Sequence, residues 1–454
     1  MRSRSIVRLT TVVLVFGCLT VFGGLACYDA CGPAEANASI LSEPWAMAER
    51  APMSADAITE WNQYAATLTL RPSPMQQPVE QTRTMAIIQV SMHDAVNGIT
   101  RKYETYRQPG AAPPDASAEA AAIGAAYRAM LGMFGNGPFP VLGNRTLDQV
   151  FSDSLATNGI SPANPGIGYG ILAANAILAE RANDGAALAS FPYDGPSTDA
   201  GIWRLLPGQT ALLPGWGNVT PFVMRSASQF RPDPPPALDS EIYARDYNEI
   251  KDIGKSVSPN RTPLQTQIAT FWRSSPTAIW NPVITQAVVA RGLDISDAAR
   301  AYAMFYLASA DASIAVWESK YYYNSWRPQP AIRRGDEDGN TATDADPTWA
   351  PLFPTPPHPE YPSAHTSNSS SMAHILEYLF GRDPGMTISV TLSGINRQWT
   401  TFDQAAEEVI DARVFSGIHF RNSDEVGARQ GRQIGQFVLT HELRPCGKGG
   451  GRCS

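Results

Sequence analysis

The stretch LDISDAARAYAMFYLASADASIAVWESKYYYNSWRP, residues 293–328, decides the fold. Over 293–324 its apolar and alanine residues recur at helical spacing. It reads as one long helix or as two abutting ones. Lys320 and Arg327 lie seven residues apart near its end. Two helical turns nearly return to the same face, so both cations can point one way. Pro328 is expected to stop the helix after Arg327.

The chain around this stretch reads the same way. TMAIIQVSMHDAVNGI (84–99), AEAAAIGAAYRAMLGMF (118–134) and GYGILAANAILAERAN (168–183) carry helical spacing and much alanine. So do TFDQAAEEVIDARVFSGI (401–418) and DEVGARQGRQIGQFVLTHEL (424–443). No run of alternating strand residues stands out. Gly, Pro and Asp mark 193–222, 231–238 and 333–362 as irregular. The expected fold is all-α, a multi-helix bundle with long Pro/Gly-rich loops. The segments fall into a leader (1–38), an N-terminal helical part with a long central loop (39–240), a C-terminal helical part (241–443) and a Cys/Gly-rich tail (444–454). The loop from 193 to 240 is either a boundary between two helical halves or a cover over one core.

The chain has 454 residues, 43% of them hydrophobic and 17% charged, which is ordinary for a globular protein. A net charge of −7 argues against a nucleic-acid-binding surface over the whole molecule. MRSRSIVR followed by LTTVVLVFGCLTVFGGLA is a basic n-region and an apolar h-region, and ANA (36–38) offers a cleavage site. GGLAC offers a second reading, a lipoprotein box with a lipid on Cys27. A third keeps the h-region as an anchor. Export is common to these readings. No later run is long and apolar enough to span a bilayer. Cys446 and Cys453 close a short Gly-rich loop and read as a disulfide in an oxidising compartment.

Three short pieces carry chemistry. The first is WESKYYYNSWRP, with Lys320 and Arg327. The second is PSAH (362–365), a proline-fixed helix start with Ser363 at the N-cap position. The third is ARVFSGIH, with Arg413 and His419 six apart across a small-residue break. Each alone has a bland reading: solvated charges, an ordinary helix cap, a buried histidine. Together they supply three cations, a hydroxyl, helix-start N–H groups and two histidines. That set suits a tetrahedral oxyanion.

The pattern K-x6-R-P, P-S-[G]-H, R-x5-H resembles the signature shared by vanadium-dependent haloperoxidases and type 2 phosphatidic acid phosphatases. The haloperoxidase branch is the closer likeness. Trp317 stands three before the lysine and Trp326 directly before the arginine. PPHPEYPSAH and RVFSGIHF also look like haloperoxidase segments. VSMHDAVNG, GILAANAILAERANDGA and GNVTPFVMRSASQFRPDPPPAL resemble the helices and linker of bacterial members, so the likeness covers nearly all of the chain after the leader.

The resemblance implies a vanadate cofactor, with phosphate able to occupy the same site. His419 would bind vanadium. Lys320, Arg327, Ser363, Arg413 and the N–H of Ala364 would hold the oxygens, and His365 would move the proton. Lys320 would also polarise the peroxide. Hydrogen peroxide, a halide and a small organic acceptor are the implied partners, and hypohalous acid the product. His358, where chloride-oxidising members tend to carry phenylalanine, favours bromide or iodide. Trp317 either lines the halide pocket or packs the core. Two positions depart from the family: Ala364 replaces a glycine, and Ala412 a serine. A site that needed glycine torsion angles would be strained at Ala364. Two other functions fit the same residues. One is an exported acid phosphatase with a phosphohistidine at His419. The other is an oxyanion-binding protein whose turnover Ala364 has impaired. His93 and Asp94 read as buried structural groups, and the acidic loop RRGDEDGNTATDAD reads as solvated.

Overall fold

The computed structural model describes residues 56–447. The leader and Cys453 lie outside the described residues. Thirteen α-helices follow one another among them. In chain order they are α1 (Asp56–Thr69), α2 (Pro78–Thr100), α3 (Ala118–Phe134), α4 (Leu147–Thr157), α5 (Pro165–Arg181), α6 (Glu241–Ile253) and α7 (Pro263–Phe271). Then come α8 (Pro276–Arg291), α9 (Ile295–Tyr323), α10 (Pro328–Arg333), α11 (Ala364–Phe380), α12 (Phe402–Phe415) and α13 (Arg421–His441). The all-α reading is correct.

One hairpin interrupts it. Strands β1 (Ile388–Leu392) and β2 (Ile395–Trp399) pair antiparallel, with Leu392 opposite Ile395. The turn residues Ser393 and Gly394 both have positive φ, 51° and 73°. That is the two-residue turn whose twist matches a hairpin. Ser-Gly between ISVTL and INRQW was the available signal, and it was too short to stand out among helices.

Helix α9 is the centre. It is a single helix of 29 residues, capped by the Asp294 side chain on the N–H of Asp297. Every residue from Ala298 to Trp317 is buried. A helix buried all round must be surrounded, and α2, α11 and α13 pack against it. Its alanines let these neighbours approach. Asp311, also buried, accepts from the N–H groups of Phe222, Val223 and Met224 at 2.6–2.9 Å. The loop from 193 to 240 is thereby tied to the flank of α9, with Trp216 and Val219 in one apolar cluster with Trp317.

The end of α9 differs from the expectation. Pro328 does not stop it after Arg327. The helix ends at Tyr323, where Asn324 takes the left-handed conformation with φ 51°. Pro328 instead opens α10, at a position where its missing N–H costs nothing. Arg327 therefore lies between two helices. It joins Lys320 through the turn of the chain, not through helical spacing.

Helix α11 explains its own composition. Its small polar residues are buried, and all of them but Ser370 are paired. Ser309 and Ser313 of α9 both donate to Asn368 Oδ1, at 2.8 and 3.0 Å. Trp280 Nε1 of α8 donates to Ser369 Oγ at 2.9 Å. On the other side Gly431 of α13 lies against the Ser367 carbonyl, where any Cβ would collide with backbone. Small residues on both helices bring α13 close to α11.

Candidate active site

The three sequence pieces meet at one end of α9, α11 and α12. Lys320, in the last turn of α9, is fully buried. Its Nζ donates to the carbonyls of Pro359 and Glu360 at 3.0 and 2.7 Å. Arg327 is equally buried. Its Nε donates to the His358 carbonyl at 2.9 Å and one terminal nitrogen to the Ile418 carbonyl at 2.8 Å. That same nitrogen lies 3.0 Å from His419 Nε2. Arg327 thus ties the loop before α11 to the loop after α12.

That second loop turns at Gly417, whose φ of +78° only glycine adopts easily. The turn carries His419 back toward Arg327. Arg413, in the last turn of α12, donates to the Trp272 carbonyl at 3.1 Å. Two residues on, the Ser274 carbonyl lies 3.2 Å from His365 Nε2. The chain after α7 therefore steadies both Arg413 and His365. A carbonyl can only accept, so His365 carries its proton on Nε2 and leaves Nδ1 free.

Ser363 stands at the N-cap position as expected, but its hydroxyl does not cap the helix. The Ser363 N–H donates to the Ser423 carbonyl at 3.1 Å and fixes the helix start. The buried hydroxyl has no partner at hydrogen-bond distance. It lies near enough to the Asp424 carboxyl to favour that group's charged form. Ala364 begins α11 and is absent from the positive-φ residues. Alanine therefore meets no backbone strain there. Its methyl packs beside the cluster that contains Trp317.

The electrostatics demand an anion. Burial, then the Arg327 charge, pushes Lys320 well below the ordinary lysine range. Burial brings Arg327 down to about 9 and Arg413 to about 10. His365 and His419 are both held well below the usual histidine value by burial. Both feel all three cations, His365 most from Arg413 and His419 most from Arg327. Each imidazole is thus neutral at pH 7.

His358 and Trp317 lie together beside Arg327, with ring centroids 4.8 Å apart and planes tilted by 37°. Trp317 also donates to the Leu212 carbonyl at 3.2 Å, which fixes the indole. His93 and Asp94 are remote from this cluster. Asp94 accepts from the N–H groups of Tyr106 and Arg107, each at 2.6 Å.

Two carboxyls of the site were not picked out in the sequence. Glu360 accepts from His419 Nδ1 at 2.8 Å and from the Phe420 N–H at 3.1 Å. Asp424, in the first turn of α13, is fully buried near Ser363, and burial raises its carboxyl well above the ordinary value. Glu360 stands in HPEYP, where only proximity to the motif could have marked it. Asp424 had no local signal, because helix packing alone brings it in.

A tetrahedral oxyanion fits this donor set. Ser363 Oγ and Arg413 Nε are buried donors without partners. Lys320 and Arg327 add charge, and the start of α11 adds N–H groups. Among the described residues no group of three or more His, Cys, Asp or Glu side chains could hold a metal ion. A single histidine within a cationic shell is a different kind of site, suited to an oxyanion that brings its own oxygens.

Known proteins resemble this chain in sequence and fold. The family model of the VCPO second helical-bundle domain matches residues 300–447, which contain all three motif pieces. The vanadium chloroperoxidase of Curvularia inaequalis is 23% identical over 287 residues, 48% of this chain. The aligned part spans about half of that relative, 46% of its length. The structure of a bacterial vanadium-dependent iodoperoxidase superposes with a TM-score of 0.72 at 25% identity, covering 87% of this chain and 98% of that one. The chain shares the fold of the vanadium-dependent haloperoxidases, and residues 300–447 carry the likeness in sequence. Another structure of the family's fold, a holo-type bacterial vanadium-dependent chloroperoxidase, gives a TM-score of 0.65 at 18% identity and covers 86% of this chain and 98% of that one. Among the described residues no helix is long and apolar enough to cross a membrane.

Proposed function

We propose that this chain is a vanadium-dependent haloperoxidase. It uses hydrogen peroxide to oxidise a halide, bromide or iodide in preference to chloride, to hypohalous acid, which halogenates a small organic acceptor. The observation that carries the reading is the set of three buried basic side chains, Lys320, Arg327 and Arg413, around the neutral imidazole of His419.

In this reading His419 Nε2 is the vanadium ligand. Lys320, Arg327, Ser363, Arg413 and the Ala364 N–H hold the oxygens of vanadate. Bound vanadate supplies a Lewis acid that keeps one oxidation state while it activates peroxide. His365 would hold or move a proton at Nδ1, the nitrogen that the Ser274 carbonyl leaves free. Lys320 would set a basic group beside the bound oxygens and stabilise charge that develops on them. His358 and Trp317 line the halide side, next to Arg327. Relatives of this chain bear the names of both chloroperoxidase and iodoperoxidase, so the preference for the larger halides rests on His358. Export is supported by the basic and apolar run at 1–38 and by the disulfide at Cys446.

Purified protein incubated with vanadate should brominate a test nucleophile when given peroxide and bromide. Folded, vanadate-loaded protein without such turnover would overturn the reading. Phosphate-ester hydrolysis by the vanadate-free protein would replace it with a phosphatase.

A further inference from the structure

Glu360 joins all three motif pieces. It belongs to the segment that leads into PSAH. Its main-chain carbonyl accepts from Lys320 Nζ at 2.7 Å. Its carboxylate takes the His419 side of the third piece: Oε1 lies 2.8 Å from Nδ1 and accepts from the Phe420 N–H at 3.1 Å. One oxygen therefore holds both the ring of His419 and the main chain just after it. The residue is 2% exposed.

The proton on His419 follows from its two neighbours. The guanidinium of Arg327, 3.0 Å from Nε2, has no lone pair and can only donate. Nε2 is therefore an acceptor. A neutral imidazole carries one proton, so it sits on Nδ1 and is donated to Glu360. The lone pair of Nε2 then faces Arg327 and the cationic cluster.

We propose that Glu360 is a positioning residue for vanadate binding: it holds His419 in the Nδ1–H tautomer and turns the Nε2 lone pair toward the oxyanion pocket. A carboxylate behind a ligating imidazole also makes it a stronger donor, and such partners are worth about 10–100-fold in affinity. The inference rests on the reading of His419 as the ligand.

Glu360→Gln separates the two contributions. Glutamine keeps an oxygen acceptor for Nδ1–H and loses the charge. Glu360→Ala removes both. Nitrogen NMR of histidine-labelled, vanadate-free full-length protein reads the tautomer of His419, with His419→Gln assigning the signal. Calorimetry with vanadate reads affinity, and thermal unfolding checks the fold. The wild type shows Nδ1–H. Glu360→Gln keeps that tautomer and binds vanadate about tenfold more weakly. Glu360→Ala leaves Nδ1–H without its acceptor, frees the ring to turn and binds vanadate about 100-fold more weakly. An Nε2–H tautomer in the wild type overturns the proposal, and so does wild-type affinity in folded Glu360→Gln and Glu360→Ala proteins. A wild-type protein that binds no vanadate sinks the functional reading instead, and the tautomer then decides the role of Glu360 by itself.

Discussion

A terminal nitrogen of Arg327 lies 2.9 Å from Nδ1 of His358, in a cluster closed to solvent. The ring of His358 thus occupies an N–H that would otherwise face the halide side. Phenylalanine at this position leaves that N–H free and desolvated, at a cost of about 1–3 kcal/mol in stability. A free buried N–H favours chloride, the more strongly hydrated anion. His358→Phe should therefore raise the ratio of chloride to bromide kcat/KM by about tenfold, or ~1.4 kcal/mol. Steady-state kinetics with both halides checks this, and an unchanged ratio removes His358 from halide selection.

Arg413 exchanges stability for binding. Its guanidinium is buried, with Nε unpartnered and one recorded hydrogen bond, to the Trp272 carbonyl. A buried charge with so few partners costs stability, so an apolar side chain of similar length is neutral or stabilising at this position. Arg413→Met should unfold at the same or higher temperature than the wild type without vanadate. It should lose most of the stabilisation that vanadate gives the wild type, since affinity falls by about 10–100-fold when a charged hydrogen bond of 1.5–3 kcal/mol is lost. Thermal unfolding with and without vanadate reads both effects.

The helices were legible where alanine and apolar residues repeat at length. The segment 118–134 coincides with α3. The pieces bearing Lys320, Arg327, Ser363, Arg413 and His419 were legible as a spaced set. What spacing could not give was the turn at Asn324, because a left-handed asparagine looks like any other loop residue until its backbone is seen. The expectation that Pro328 ends α9 failed for this reason. Short helices such as α4 and α7 have too few periods to read, and their boundaries come from caps at Thr146 and Thr262. Glu360 and Asp424 reach the site through contacts between distant segments, which leave no mark on local pattern.

The alanine at 364 should prove harmless. It opens α11 with an ordinary negative φ, and its backbone N–H is kept. Glycine there adds freedom to the unfolded chain and removes a methyl packed near the Trp317 cluster. Ala364→Gly should lower stability by about 0.5–1 kcal/mol and should not tighten vanadate binding. A gain in affinity or turnover would mean that the methyl obstructs the pocket, contrary to the backbone geometry.

Vanadate binding should take up protons. Burial, and next the Arg327 charge, holds Lys320 well below its ordinary value, and burial holds Arg413 at about 10. Both shifts favour the neutral amine or guanidine in the free site. An oxyanion lodged among these groups favours their charged forms, so their proton affinity rises on binding. By linkage the affinity then falls as pH rises, over the range between the depressed values of the free site and the restored values of the complex. For Arg413 that range opens near pH 10; for Lys320 it opens lower. Calorimetry in buffers of different ionisation enthalpy measures the uptake directly, after correction for the ionisation of vanadate itself. Lys320→Met should reduce the uptake and flatten the pH dependence, because burial and the Arg327 charge depress Lys320 in the free site. Proton release on binding, or an uptake that Lys320→Met leaves intact, would show that Lys320 is already charged in the free site and that its two carbonyl partners, Pro359 and Glu360, suffice to keep it so.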